Sequence, residues 1–294
     1  MIIAFADPHI EESNIEELDK VFNEIFDHSS VDAHIICLGD FYHKNRPTAK
    51  EIEFGTKWAS RLKNNNQFFT MLRGNHTMVN FKDNDSSVEY LKYFGISILE
   101  ELVIDNIYFG HKMTEKSDMF FGIDIPTEAR YEIKTSELLK YNISLLGHQH
   151  AYQEIDEAIY HIGSIIYTTF NEVNVSKKYI FKIDEKDKKI EKIELKTPYP
   201  MVEISSVNEL DKYEYNTKIR LVFKTFEDFK NNISKATQYK NRFIVFKIKC
   251  DFDKTIQIID EKQSSKEDII LKWINSIKDK DVREELIKEF GDNK

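Results

Sequence analysis

The sequence predicts a layered α/β domain closed by a second sheet, followed by a smaller α/β unit and a helical tail, on three observations. Apolar runs of strand length alternate with segments whose apolar residues recur at helical spacing. From Leu102 onward hairpin signals replace that alternation. Thr197-Pro198-Tyr199-Pro200 then interrupts the chain, because prolines block both helix and central strand. With 294 residues, 41% hydrophobic and 32% charged, the chain has material for two globular domains.

The first run, Ile2 to Ala6, reads as a buried strand rather than a signal peptide, since it has no basic leader and runs directly into Asp7 and His9. Between Asn14 and His28, Ile15, Leu18, Val21, Phe22, Ile25 and Phe26 share one helical face, and Ser13 with Glu16 has capping-box spacing. Further strands are expected at His34 to Leu38 and Phe68 to Leu72, with helices at Pro47 to Lys63 and Ser86 to Phe94. Val103-Ile104 and Ile107-Tyr108 flank the turn Asp105-Asn106. Strands follow at Ile143 to Leu146 and Ile159 to Ile162, and Tyr179 to Ile183 with Ile190 to Leu195 forms a second hairpin.

Beyond the proline segment, strand Lys218 to Phe223, helix Phe226 to Ala236 and strand Arg242 to Cys250 make a small α/β unit. Ser265 to Ile277 and Val282 to Phe290 carry apolar stripes at helical spacing. The resulting division is a first domain over 1–197, a small domain over 201–260 and a helical segment over 264–294. Cys37 and Cys250 each fall in an apolar run and read as buried hydrophobes of a reducing compartment. With no stretch as long as a membrane span, the expectation is a cytoplasmic protein. A net charge of −9 argues against holding nucleic acid by global charge, while leaving a local basic groove open. Bound divalent cations would restore positive potential locally.

Five short elements carry the chemistry: Asp7-Pro8-His9, Gly39-Asp40-Phe41-Tyr42-His43, Gly74-Asn75-His76, Gly110-His111 and Gly147-His148-Gln149-His150. Each follows an apolar run, which places it at the carboxyl end of a strand, where open α/β sheets build their sites. A single His after a strand is more often a turn or core residue. Together, carboxylate, amide oxygen and imidazole form a mixed donor set suited to Mn²⁺, Fe or Zn²⁺, and the lack of thiolates argues against a structural zinc site.

The pattern resembles the calcineurin-like metallophosphoesterases and, within them, the Mre11/SbcD DNA repair nucleases, including phage recombination nuclease subunits. Gly39-Asp40-Phe41-Tyr42-His43 carries the closer likeness, with Ile162-Gly163-Ser164, Phe170-Asn171-Glu172 and Lys178-Tyr179. Motif support covers roughly residues 1 to 195. The resemblance implies an αββα two-sheet sandwich with a small α/β capping domain and C-terminal helices. It implies two divalent cations, Mn²⁺ being the expected ion. One would be held by Asp7, His9, Asp40 and His150, and the other by Asp40, Asn75, His111 and His148, with Asp40 shared. A shared carboxylate agrees with the close spacing that clamps both oxygens of an in-line phosphoryl displacement. His76 and His43 are implied as catalytic groups, His76 stabilising the transition state or protonating the leaving oxygen and His43 acting on the phosphate or nucleic-acid strand.

One departure is Thr77, where the family usually has an acid beside the catalytic histidine. Another acid takes its place or His76 is the weaker for it. His28 and His34 read as structural or surface residues, and His161 as a packing residue. Arg73, Lys44, Arg46 and Lys112 adjoin the motifs and are the candidate phosphate contacts, with Lys50 nearby. The resemblance further implies DNA as substrate, a homodimer, and a Rad50/SbcC-like coiled-coil ATPase docked through the C-terminal helices. The alternatives are a phosphoesterase acting on small phosphodiesters or phosphoproteins, and a catalytically weak scaffold subunit.

Overall fold

The computed structural model describes residues 1–64, 68–80, 85–117, 131–173 and 177–251. The chain divides into two compact units, Met1–Tyr199 and Pro200–Lys294. The helices expected over 264–294 and the end of the small domain expected over 201–260 lie outside the described residues.

In the first unit the strands are β1 (Ile2–Phe5), β2 (His34–Cys37), β3 (Phe68–Leu72), β4 (Ser97–Leu99), β5 (Glu101–Ile104), β6 (Ile107–Gly110), β7 (Ile143–Leu146), β8 (Gln153–Asp156), β9 (Ile159–His161), β10 (Tyr179–Ile183) and β11 (Ile190–Glu194), with helices α1 (Ile15–Asp27) and α2 (Ala49–Asn64). One sheet has the order β11-β10-β1-β2-β3-β4 and the other β8-β9-β7-β6-β5. Strands β1 to β4 run parallel, as do β9, β7 and β6, while the hairpin strands pair antiparallel.

Residue parity along the strands builds the layers. Ile2, Ala4, Ile36, Ile107, Phe109, Ile143 and Leu145 belong to one apolar cluster that draws on both sheets. Their odd-even neighbours Ile3, Phe5, Ile35 and Cys37 point the opposite way, into a cluster with Leu18, Phe22, Ile25, Phe54 and Trp58 of α1 and α2. Trp58 is fully buried, stacks on Phe22 at 5.3 Å and donates through Nε1 to Asp19 Oδ1 at 3.0 Å. On the far face of the second sheet, Tyr108, Leu146 and Ile159 pack with Leu138 from a single helical turn, Thr135–Leu138. The expected two-sheet α/β sandwich is therefore formed. It leaves the carboxyl ends of β1, β2, β3, β6 and β7 to carry the loops described below.

Three local expectations are corrected. The helix predicted at Ser86 to Phe94 is a 3₁₀ segment, Glu89–Phe94, ending at Gly95 with φ of 77°. Ser86 pairs instead with Met78 in a short ribbon, leaving too few residues for a longer helix. The Ser13/Glu16 cap does not form: Ser13 Oγ donates to Glu11 Oε1 at 2.7 Å, and a 3₁₀ turn at Glu12–Asn14 precedes α1. Ahead of α2 a capping box that the sequence reading passed over is made, with Thr48 N donating to Glu51 Oε2 at 2.7 Å and Glu51 N to Thr48 Oγ1 at 3.3 Å. Cys37 is buried, but Cys250 is exposed because it ends an edge strand.

In the second unit, β12 (Met201–Ile204), β13 (Lys218–Phe223) and β14 (Val245–Cys250) form a parallel sheet in that order. Helix α3 (Phe226–Thr237) is capped by Thr225 Oγ1, which accepts from Asp228 N at 3.1 Å. Its Phe229, Ile233 and Ala236 pack on Ile219, Leu221 and Phe223. Among the described residues no helix is long and apolar enough to cross a membrane.

Candidate metal centre

All five motif loops converge at one end of the sandwich. Their backbones adopt conformations that free chains avoid: Asp7, His9, Asp40 and His148 have φ of 50°, 47°, 43° and 79°. Such strain persists only where neighbours impose it. Here they do, since His9 N donates to Asp40 O at 3.0 Å, Ile10 N to Phe41 O at 2.9 Å and His43 N to Ile10 O at 3.1 Å, zipping two loops together. Asp7 Oδ2 accepts from His148 N, and Asp40 Oδ1 from His76 N, each at 2.9 Å. Gly74 is required where it stands, because a Cβ there would fall 2.0 Å from Asp40 Oδ1.

The donor atoms form two groups that share one residue. Asp7, His9 and Asp40 make one, and Asp40, His111 and His148 the other. His150 joins the first, its Nε2 lying 2.9 Å from His9 Nε2. Asn75 joins the second, its Oδ1 lying 3.0 Å from His111 Nε2 and 2.9 Å from His148 Nδ1. His111 Nε2 is also 3.3 Å from Asp40 Oδ2. His43 and His76 make a third group with His9, their rings stacked at 5.6 Å. The seven expected metal ligands and the two expected catalytic histidines are thus brought together.

Electrostatics mark the centre as built for positive charge. Burial lifts the Asp7 carboxyl to about 7, against the downward pull of His111. Burial also opposes ionisation of Asp40, but the His111 charge and hydrogen bond outweigh it and hold that carboxyl well below its usual range. His111 would be lowered by burial, yet Asp40 and then Asp7 raise it to about 9. Burial, then the His111 charge, brings His148 down to about 3, and burial followed by His150 lowers His9 well below the usual range. Neutral imidazole is the form that ligates a cation. Asp7 Oδ1 and His9 Nδ1 are buried without a hydrogen-bond partner. Two imidazole nitrogens 2.9 Å apart need a proton or a cation between them. An orphaned carboxylate oxygen, the neutral imidazoles of His9 and His148 and a mixed O/N donor set all fit divalent cations, which would take the place of the proton on His111.

The candidate phosphate contacts do not share this convergence. Arg73 lies 2.6 Å from Glu89 and 3.3 Å from Glu100, and Lys112 lies 2.9 Å from Glu101. These carboxylates neutralise both cations. Lys44 and Arg46 are exposed, and neither has an ion-pair partner among the described residues. Thr77 turns inward, its Oγ1 donating to Gly74 O at 2.9 Å, so it caps the turn rather than facing His76. His76 Nδ1 is 2.9 Å from the His43 carbonyl instead, which orients the ring without a carboxylate. His34 bonds Thr70 at 2.8 Å. His161 is buried and holds the Gly147 carbonyl through Nδ1 at 3.0 Å, beside the ligand loop.

Sequence reasoning missed the residues behind the donors. Tyr131 lies parallel to His148 at 6.2 Å and edge-on to His111 at 5.9 Å, and no motif signals it. Thr168 contacts His150 Nδ1 at 2.7 Å, and again nothing in the pattern points to it. Glu172 and Lys178 stood in the segment that carried the family likeness, but without a task.

The calcineurin-like phosphoesterase family model matches residues 1–181. No curated protein matches the chain. Among solved structures, the crystal structure of a candidate diadenosine tetraphosphatase aligns at 12% identity and a TM-score of 0.34, covering 66% of this chain and 92% of that one.

Proposed function

Since the chain belongs to the calcineurin-like phosphoesterase family, we propose that it is a two-cation phosphodiesterase acting on DNA, the nuclease subunit of a Mre11/SbcD-type assembly that processes DNA ends in recombination or repair. The observation that carries the two-cation part is Asp40, common to the Asp7–His9–Asp40 and Asp40–His111–His148 groups. With Asn75 and His150 added, each side offers four donors, and Mn²⁺ suits their chemistry. When bound, such cations supply Lewis-acid charge and a lowered pKa for water.

The chain's own groups do the rest. His76, its Nδ1 2.9 Å from the His43 carbonyl and its ring grouped with His9 and His43, can hold on its other nitrogen the proton that the leaving oxygen takes. His43, stacked on His76, stands where it can donate to a non-bridging phosphate oxygen. Exposed Lys44 and Arg46, which follow His43, support a strand of phosphates as substrate. A homodimer and a coiled-coil ATPase of the Rad50/SbcC type docked on the 264–294 segment belong to the same reading.

A second reading, hydrolysis of small phosphodiesters, is favoured by the neutralised Arg73 and Lys112, which take two of the four expected backbone contacts out of play. The scaffold reading, a catalytically weak subunit, keeps its motive in Thr77, since the His43 carbonyl orients His76 but supplies no negative charge. Purified protein with Mn²⁺ is expected to degrade linear duplex DNA, faster when the ATPase is added. Turnover of bis(p-nitrophenyl) phosphate with DNA left intact would sink the nuclease reading and establish the second.

A further inference from the structure

Behind His150 lies a series of polar groups with no part in the chemistry above, half-buried at Thr168 and buried at Ser164, Glu172 and Lys178. Thr168 Oγ1 sits 2.7 Å from His150 Nδ1 and donates to Glu172 Oε1 at 2.6 Å. Its single hydroxyl proton is thereby committed, so towards His150 the oxygen accepts, and His150 carries its proton on Nδ1. Nε2 is left with a lone pair directed at His9 Nε2, 2.9 Å away.

Glu172 is itself fixed from several directions. Oε1 also accepts from the backbone N–H of Thr168 at 3.2 Å and Thr169 at 2.6 Å. Oε2 accepts from Lys178 Nζ at 2.6 Å. Lys178, fully buried, donates onward to Ser164 Oγ and to the carbonyl of His150, each at 2.9 Å. Ser164 N reaches the same carbonyl at 3.1 Å. One ion pair therefore grips His150 twice, at the ring through Thr168 and at the main chain through Lys178.

Stability alone does not explain this arrangement. A buried ion pair loses about as much in desolvation as it gains in attraction, and apolar residues of similar volume often serve as well. A carboxylate behind a ligating histidine, by contrast, fixes tautomer and ring orientation and raises the basicity of the donor nitrogen. On the other side of the centre the only charge near an imidazole Nδ1 among the described residues comes from a donor itself: His111 Nδ1 lies 2.7 Å from the Leu38 carbonyl and 3.4 Å from Asp7 Oδ1, and His148 faces the donors with Nδ1 itself.

We propose that Thr168, Glu172 and Lys178 are positioning residues that lock His150 in its Nδ1–H form and thereby set the affinity of the Asp7–His9–Asp40–His150 cation position, leaving the Asn75–His111–His148 side unaffected. This rests on the two-cation reading above, and the test separates the two. Chelator-treated full-length protein is titrated with Mn²⁺ by calorimetry, and the ¹⁵N NMR tautomer of His150 is read in the same protein before any cation is added.

Thr168→Val weakens one of two Mn²⁺ equivalents by about 10–100-fold, the range for removing such a partner, keeps the other, and shifts His150 towards Nε2–H. Thr168→Ser restores both readouts. Glu172→Gln does the same as Thr168→Val but strips Lys178 of its counter-charge and can cost the fold, so the Thr168 pair decides. Unchanged binding and tautomer in Thr168→Val overturn the proposal. So does an equal weakening of both equivalents with a lowered Tm, which marks a merely structural role. If wild-type protein binds fewer than two equivalents, the two-cation reading falls, and the tautomer in Thr168→Val still upholds or overturns the relay.

Discussion

On one side of Asp40, His111 rests on a backbone carbonyl and the loop of His148 is held by His161. On the other, His150 rests on a hydroxyl, a carboxylate and an ammonium drawn from Thr168, Glu172 and Lys178. A backbone carbonyl is supplied by any residue that keeps the strand end in place. A side-chain relay depends on three particular residues. The first side therefore leans more on main-chain groups, with His161 as its side-chain support, and the second can be tuned or broken by changing residues that touch His150 without being donors themselves.

The substitution that abolishes the comparison altogether is Asp40→Asn. Because Asp40 belongs to both donor groups, both Mn²⁺ equivalents are lost in a calorimetric titration. Phosphodiesterase turnover falls by about 10³-fold or more, the scale of several kcal/mol of lost charge stabilisation. Retention of one tight equivalent would show that the two sides do not share it.

His76→Gln separates chemistry from cation binding. Its ring lies 4.8 Å from that of His9 and makes no contact with His111 or His148 among the described interactions. Turnover is expected to drop by about 10²–10⁴-fold, the range for a positioned acid or base, with Mn²⁺ stoichiometry intact. An unchanged rate would remove it from catalysis.

The smallest effect sharpens the backbone-held side. Burial lowers His161 from its ordinary value of 6.5 to about 4. The unfolded chain takes up a proton below 6.5 that the folded protein refuses until about pH 4. The stability His161 permits is thus complete above 6.5 and is lost as pH falls through that window. Denaturant unfolding of His161→Gln at successive pH values should lack that loss, at most about 3 kcal/mol. An identical pH profile to wild type would show that His161 is not buried as a neutral base.

Much of the centre was legible in advance because it is local. Each donor follows a strand directly, so apolar run plus motif located Asp7, His9, Asp40, Asn75, His111, His148 and His150 at the same end of the sheets. The layers were legible too, since strand parity assigns Ile2 and Ile3 to opposite faces. What stayed hidden involves partners far apart in the chain. Arg73 looked free because Glu89 and Glu100 lie 16 and 27 residues away. The inward turn of Thr77 depends on a 3₁₀ segment that no pattern announces.

By itself the sequence determined most of the central strands and the two long helices of the first unit, the kinds of donor atoms available and their attachment to strand ends, because hydrophobic periodicity and short motifs act within a few residues. Strands such as Ser97–Leu99, Gln153–Asp156 and Met201–Ile204 were not legible in it. Only the tertiary structure decided which histidine nitrogen faces the centre, which cations are already neutralised and which carboxylate supports which imidazole. Those outcomes depend on contacts of about 3 Å between residues brought together by the chain's path, and hydrogen-bond geometry at that scale is not encoded in spacing along the sequence.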